Sequence, residues 1–447
     1  MDRPSIKFCA VCFCAVIILS LTACGPTEEQ LQELVPVEKI TVHWLAVDSG
    51  SDPTVAASEQ TFVENFNKSQ DEIELVLEIA DAGYQGLQHL DDLIESGNPP
   101  DIIGPYGPVY ANLFLDQLLD IEPLIGESFN LGDLDLVAVD AWRVEGRLIA
   151  LPMGYWPAVI YYNKDLFDKA GLAYPPHQYN NDYAGGGGWT VEKIAEIGPF
   201  LTLDIKGHNA ASPDFDINQA IQWGMETEGD LRAAATLFGA GRLLRENEEV
   251  KIPQSWREAA RWIYSAVWEK KFFPNGKGFG MYGGDPFNEG AAAMMYVPTW
   301  YSCCNKQFNW DIAAVPAYNG KATSRLDHNG LSIFNQTEQP EVAARVIVAI
   351  LSDPGILKAT RVIPANLKNR DSFINAYYSR YPNVDWQVML DSLNYPDNPS
   401  YTQFIPNSRE VLFQLYRFGE RIISNSSTKI DKELDFLEDD LQSIISK

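Results

Sequence analysis

Hydrophobic positions change period several times along the chain. From Ile40 to Trp44 apolar and polar residues alternate, as on a half-buried strand, and the run ends in Asp48-Ser49-Gly50-Ser51-Asp52-Pro53, a loop by composition. Phe62 and Phe66, four apart, mark a helix face. Ile73, Leu75, Leu77 and Ile79 then share one side of a second strand, with Glu74 and Glu78 on the other. Leu87, Leu90 and Ile94 return to helical spacing up to the breaker Gly97-Asn98-Pro99-Pro100, and Ile102-Ile103 opens a third strand. Strands alternating with helices predict a βαβ sheet with helices on its faces. Ligands of such sheets bind beyond the carboxyl ends of the strands, so the loops at Asp48, Tyr84 and Tyr106 are expected to converge.

The mixed pattern continues. Ser255-Trp256-Arg257-Glu258 reads as a capping box before the apolar face Ala259, Trp262, Ile263, Ala266 and Val267. Pro340 and Glu341 open a helix running to about Leu351. Ile430, Leu434, Leu437, Leu441 and Ile444 form the buried stripe of a terminal helix. Tyr174 to Gly188, with Pro175, Pro176 and four consecutive glycines, is a surface loop before a helix near Thr190. It has no Gly-Lys-Ser/Thr and supports no phosphate cradle. There is no internal repeat.

Composition narrows the partners. The 447 residues carry 34 Lys plus Arg against 61 Asp plus Glu, a net charge of -27, which argues against a nucleic-acid binder. An apolar share of 46% with 12% aromatics fits a folded chain of two or three domains. Arg3 and Lys7 precede the apolar run Phe8–Leu19, the charged and hydrophobic regions of a secretory signal, too short for a comfortable membrane span. Leu21-Thr22-Ala23-Cys24-Gly25 resembles the lipobox of bacterial lipoproteins. That resemblance implies a signal peptide over 1–23, a diacylglyceryl group on Cys24 and an anchor to the cell membrane. The polar stretch 24–35 then serves as the tether. Loss of 1–23 leaves 32 basic and 60 acidic residues, a strongly acidic body that disfavours anionic ligands. Cys303-Cys304 form either a strained vicinal disulfide or two buried thiols.

Seven segments in register resemble the extracellular solute-binding proteins of family 1, the maltose-binding-protein-like receptors of ABC importers. They are Pro100-Asp101-Ile102-Ile103, Gly146-Arg147-Leu148-Ile149-Ala150-Leu151-Pro152, Ile160-Tyr161-Tyr162-Asn163-Lys164-Asp165-Leu166-Phe167, Trp189-Thr190-Val191, Gly290-Ala291-Ala292-Ala293-Met294, Trp300, and Trp310-Asp311-Ile312-Ala313-Ala314-Val315-Pro316. The family usually has Gly where this chain has Pro298, and Cys303-Cys304 is unusual for it. The resemblance implies an α/β, periplasmic-binding-protein-like fold with two lobes, several crossover segments as a hinge and a ligand cleft between the lobes. The crossings fall near Leu151-Pro152, His328-Asn329-Gly330 and Asp353-Pro354-Gly355. Lobe 1 is expected over 36–151 plus 329–355, and lobe 2 over 152–328 plus 356–447.

A neutral sugar offers hydroxyl edges and C–H faces, so its site needs flat aromatic platforms with planar hydrogen-bonding partners. Tyr106, Tyr155, Trp156 and Trp300 match cleft segments of the family, with Asp48, Tyr84 and Asn329 beside them as ligand-binding candidates. For every one of these rings core packing is the plainer role. Tyr161-Tyr162 could suggest ferric iron, but they sit in the strand segment that the family places after the hinge. The carboxylate-rich Asp204–Asp216 loop lacks the ordered spacing of a calcium loop. No metal and no cofactor is expected.

The implied function is a lipid-anchored, extracytoplasmic substrate-binding protein of an ABC importer. It is expected to be monomeric, to bind a mono- or oligosaccharide and to deliver it to the permease without catalysis. A peptide or polyamine in the same fold, or a secreted glycosidase using two carboxylates, are the alternatives. Gly-x-Ser-x-Gly and His-Glu-x-x-His motifs are absent.

Overall fold

A computed structural model describes residues 39–47, 52–80, 84–126, 129–227, 231–245, 249–281, 284–303, 306–397, 400 and 404–446. Cys24, Asp48 and Cys304 lie outside these residues, as do the side chains of Tyr84 and Cys303.

β1 (Ile40–Ala46) buries Val42 and Trp44 and leaves Thr41 and His43 exposed, the alternation read from the sequence. α1 (Pro53–Ser69) begins where the Asp52 carboxylate accepts the Thr54 amide at 2.9 Å, and Pro53 occupies the first turn, where no N–H is needed. β2 (Ile73–Ile79), α2 (Tyr84–Glu95) and β3 (Ile102–Tyr106) complete the expected βαβαβ unit, with β1 parallel to both neighbours. Next come α3 (Leu136–Asp140), β4 (Leu151–Asn163), β5 (Glu226–Thr227), α4 (Gln254–Tyr264), β6 (Met294–Pro298), β7 (Trp310–Ala313) and β8 (Leu326–Ile333). The chain ends through α5 (Pro340–Ser352), α6 (Pro354–Thr360), β9 (Ile363–Pro364), α7 (Arg370–Arg380), α8 (Ser408–Ser424) and α9 (Ile430–Ile445).

The main sheet runs β2-β1-β3-β8-β4-β6-β5, with β7 and β9 also paired to β4. β4 is buried along almost its whole length and serves two sets of neighbours. Leu151 to Pro157 pair with β8, and Gly154 and Tyr155 pair with β9 on the other edge. Ala158 to Tyr162 pair with β6, and Ile160 to Asn163 with β7. The exchange falls between Pro157, opposite Leu326, and Ala158, opposite Pro298. A proline has no N–H to give a ladder, so Pro157 suits the point where one set of partners ends.

Gly154 is where three segments crowd: an added Cβ would lie 2.0 Å from the Ile363 carbonyl oxygen and 2.8 Å from Val362 Cγ2. Helices cover both halves of the sheet. α6 packs on α1, and α5 packs on β8 and α6; α7 packs on β9; α8 packs on α9 and α4. One further tie links distant parts of the chain. The Ile405 amide donates to Asn112 Oδ1 at 3.2 Å, Ser408 Oγ donates to the Asn112 carbonyl at 3.2 Å, and Arg409 pairs with Asp91 of α2 at 3.1 Å. Fully buried Trp44, Trp142, Trp223, Trp256 and Trp386 anchor the core. Among the described residues no helix is long and apolar enough to cross a membrane.

The terminal stripe behaves as expected, with Ile430, Leu434, Leu437 and Leu441 buried. The capping box does not form. α4 starts two residues early, with Pro253 at its cap, so Ser255 lies inside the first turn, and Glu258 accepts from Gln254 and Arg261 instead.

The Tyr174–Gly188 loop is braced by His177. Its Nδ1 lies 3.0 Å from Asp385 Oδ2 and its Nε2 3.4 Å from Asp311 Oδ2, with the Tyr162 hydroxyl and Lys164 also turned toward this cluster. The hydrogen bond with Asp311 raises the imidazole above its ordinary value; burial and Lys164 oppose the rise, and the charges of Asp311 and Asp385 add to it. A folded pKa above the unfolded one stabilises fully below about pH 6.5 and fades as the pH climbs through the folded value.

His177→Gln is therefore expected to lower the melting temperature more at about pH 5.5 than at about pH 8.5; equal losses would show that the brace carries no charge. Gly154→Ala should cost about 1–3 kcal/mol through overpacking, read as a melting temperature several degrees lower, whereas Gly280→Ala, which meets nothing within 4 Å, should leave it nearly unchanged.

Candidate functional site

The exchange of partners on β4 gathers two half-buried indoles. Trp156 lies two residues before Ala158, and Trp300 two residues after Pro298, the residue paired with Ala158. Trp300 stands in the single helical turn Thr299–Cys303, edge-on to Tyr301 with centroids 5.9 Å apart. The Trp156 Nε1–H donates to the Arg361 carbonyl at 2.9 Å. The Tyr377 hydroxyl donates to the same carbonyl at 2.9 Å and lies 3.3 Å from Ser302 Oγ, while the Tyr381 hydroxyl donates to the Ser302 carbonyl at 2.6 Å. One carbonyl thus joins the strand bearing Trp156 to the turn bearing Trp300.

Charged groups border this assembly. Arg361 follows α6 in a left-handed conformation (φ 56°), and its guanidinium pairs with Asp52 at the head of α1. Burial pushes the Asp52 carboxyl up, but the Arg361 hydrogen bond and the Thr54 amide outweigh it and hold the group below the ordinary carboxylate value. Arg325 binds Asp327 through two parallel contacts of 2.7 Å, and Asp327 sits opposite Trp156.

Asn329 is two residues beyond Asp327 on β8, opposite Gly154, so the strand alternation turns it to the side of Trp156. Its Oδ1, and the Thr299 Oγ1 beside Trp300, are buried with no hydrogen-bond partner among the described residues. An orphaned buried acceptor costs about 1–3 kcal/mol, so such atoms mark places where a further group can bind.

Tyr106 and Tyr155 take another role. Tyr106 is 1% exposed, donates its hydroxyl to Ser332 Oγ at 2.6 Å and packs edge-on against Trp142 and Phe114. Tyr155, also 1% exposed, donates to Asp135 Oδ2 at 2.7 Å, where Arg370 joins both groups. In each case burial drives the phenol above its usual value, so both hydroxyls stay protonated. They present no ring face to solvent, because successive residues of a strand face opposite ways and Tyr155 follows the inner side while Trp156 does not. His328 lies beside Tyr155, and burial takes its imidazole down to about 4, leaving it neutral at neutral pH. The site reading from sequence thus keeps Trp156, Trp300 and Asn329 together. It missed Asp52, Asp327 and Arg361. The Asp52-Pro53 pair was a helix-start signal in sequence; nothing local pointed to Arg361.

The other chemistries have geometric answers. Tyr161 and Tyr162 face opposite sides of β4, toward Thr299 and toward Asp311 respectively, so their oxygens do not converge. Asp204 accepts the amides of Lys206, His208 and Asp216, and Asp216 accepts from Asn218 and Gln219, so these carboxylates are engaged within their own loop. Among the described residues no group of three His, Cys, Asp or Glu side chains is placed to hold a metal ion.

No curated relative matches the chain. Three similar solved structures share the architecture. An ABC substrate-binding protein of Listeria monocytogenes in complex with cycloalternan superposes with TM-score 0.73 at 20% identity, over 92% of this chain and 100% of that one. UgpB of Mycobacterium tuberculosis in complex with glycerophosphocholine gives 0.70 at 17%, over 92% and 98%. A maltose-bound T. maritima protein gives 0.67 at 16%, over 91% and 100%. These likenesses establish an α/β fold of the periplasmic binding protein type. The sequence profile of the bacterial extracellular solute-binding proteins matches residues 61–382, nearly three-quarters of the chain, and the chain belongs to that family.

Proposed function

We propose that this protein is the lipid-anchored binding component of an ABC importer, holding a mono- or oligosaccharide in a cleft at the partner exchange of β4. The observation that carries the reading is the pair of half-buried indoles, Trp156 and Trp300, placed either side of one residue pair and joined through the Arg361 carbonyl. Each supplies an apolar face for a sugar ring; Asn329 Oδ1 and Thr299 Oγ1 supply acceptors for its hydroxyls. Asp48, which follows β1 in sequence, and Tyr84, the first residue of α2, are further ligand contacts in this reading. Tyr106 and Tyr155 serve as its rigid backing.

The lobes in this reading are 36–151 with 329–360 and 152–328 with 366–447. We put the third crossing at 361–365 rather than near Asp353-Pro354-Gly355, a choice supported by Asp353 capping α6 and by the packing of α6 on α1. Closure of the lobes on ligand needs contacts from both, and about 5.5 kcal/mol of differential affinity would carry a 1:99 population to 99:1. Similar folds have been solved with cycloalternan and with maltose, which supports a carbohydrate. Glycerophosphocholine in a third supports a non-sugar organic solute as the second reading.

A thermal-shift screen of the mature body should find a carbohydrate that raises the melting temperature, by the equivalent of about 2.7 kcal/mol at a hundredfold excess over Kd. Trp300→Ala should abolish that rise while leaving the unliganded melt close to wild type. A full rise in the variant would remove Trp300 from the site, and a response to glycerophosphocholine alone would favour the second reading. For the anchor, Cys24→Ser should move the protein from the membrane fraction to the soluble one and stop incorporation of labelled fatty acid; continued labelling would refute lipidation at Cys24.

A further inference from the structure

The turn that carries Trp300 is fastened by a buried cation. Lys306 is 8% exposed, and its ammonium lies among aromatic rings: Nζ is 4.2 Å from the centroid of Tyr301, 4.8 Å from that of Trp310 and 5.2 Å from that of Tyr161. The negative face of a ring attracts a cation within about 6 Å, and more strongly once water is excluded. Tyr161 comes from β4, Trp310 from the first position of β7 and Tyr301 from the turn itself. One ammonium therefore links the turn to two paired strands of the main sheet.

The same Nζ donates to the Tyr301 carbonyl at 2.9 Å. A helical turn leaves its last carbonyls without intrahelical partners, and a lysine just past its end can supply one. Two more carbonyls of the turn are held from the sides: the Tyr161 hydroxyl donates to that of Thr299 at 3.3 Å, and the Tyr381 hydroxyl to that of Ser302 at 2.6 Å. The Tyr301 ring is tied at its far end, where its hydroxyl donates to Asp285 Oδ1 at 2.6 Å, and the Trp300 indole packs edge-on against this ring. Lys306 thus reaches both the backbone of the turn and the ring on which the indole leans.

We infer that Lys306 is a positioning residue for Trp300: its ammonium sets the tilt of the Tyr301 ring and the pitch of the turn, and through them the face that the indole offers to a ligand. That Trp300 is a ligand platform rests on the carbohydrate reading above; that Lys306 orients the indole does not. The role needs the charge. A neutral side chain of equal length fills the space but neither donates to the carbonyl nor attracts the rings, whereas a guanidinium keeps its donors and stacks on aromatic faces. An indole held in place before the ligand arrives has less freedom to lose on binding, so the effect is felt as affinity.

Fluorine NMR of the mature body labelled with 5-fluorotryptophan reads the indole directly, with the Trp300 and Trp44 lines assigned by their loss in Trp300→Phe and Trp44→Phe. Lys306→Met should shift and broaden the Trp300 line while that of Trp44, in β1, stays in place, and Lys306→Arg should leave both near wild type. A Trp300 line unmoved in Lys306→Met overturns the inference, and so does a Trp44 line displaced as far, which would show a general loosening instead. With a carbohydrate found by the thermal-shift screen, Lys306→Met should raise its Kd about tenfold and Lys306→Arg no more than about twofold; a wild-type Kd beside a displaced Trp300 line overturns the link to binding. If no carbohydrate binds at all, the functional reading fails while the Trp300 line still decides the role of Lys306.

Discussion

One strand has to satisfy two sets of neighbours. β4 gives its first half to β8 and β9 and its second half to β6 and β7, and the change occurs within a single peptide, Pro157-Ala158. Nearly every residue of β4 is buried, so its backbone groups must find partners in the ladder or lose the water they once had. This requirement fixes where the two halves of the sheet meet. It also fixes which residues stand at the meeting point: Trp156 just before the change and Trp300 just after the strand that takes over. The glycine at 154 follows from the same crowding, because β9 comes in from the other edge closely enough to exclude even a methyl group.

The first half of the fold was legible because its periodicities are clean. Ile73 and Leu75 inside with Glu74 outside, and the helix face of Phe62, each follow from local chemistry that tertiary packing did not override. Local signals failed where two of them competed. Ser255 had the right spacing to Glu258, but Pro253 already terminates the preceding segment and lets the helix begin at Gln254. Among the aromatics sequence could not sort platform from core. Tyr155 and Trp156 are neighbours in one apolar strand, and only the face each takes separates a hydroxyl locked to Asp135 from an indole at the surface. Asp52 and Arg361 are 309 positions apart, and their pairing depends on α6 lying against α1, which no window along the chain can show.

Charge in this protein is strongly unbalanced overall yet locally matched. Arg325 is spent on Asp327, Arg361 on Asp52 and Arg370 on Asp135. Guanidinium groups suit this work because two parallel N–H bonds fix direction as well as distance. The surplus carboxylates stay at the surface, where they repel anions and keep the body soluble.

The tie between Asn112 and the start of α8, with Arg409 on Asp91, sets a limit on mechanical freedom. Two hydrogen bonds and an ion pair here join residues 293, 296 and 318 positions apart, so any relative displacement of these two stretches of chain must break all three together. Residues 91, 112, 405, 408 and 409 therefore act as a single latch between parts of the sequence that no strand pairing connects.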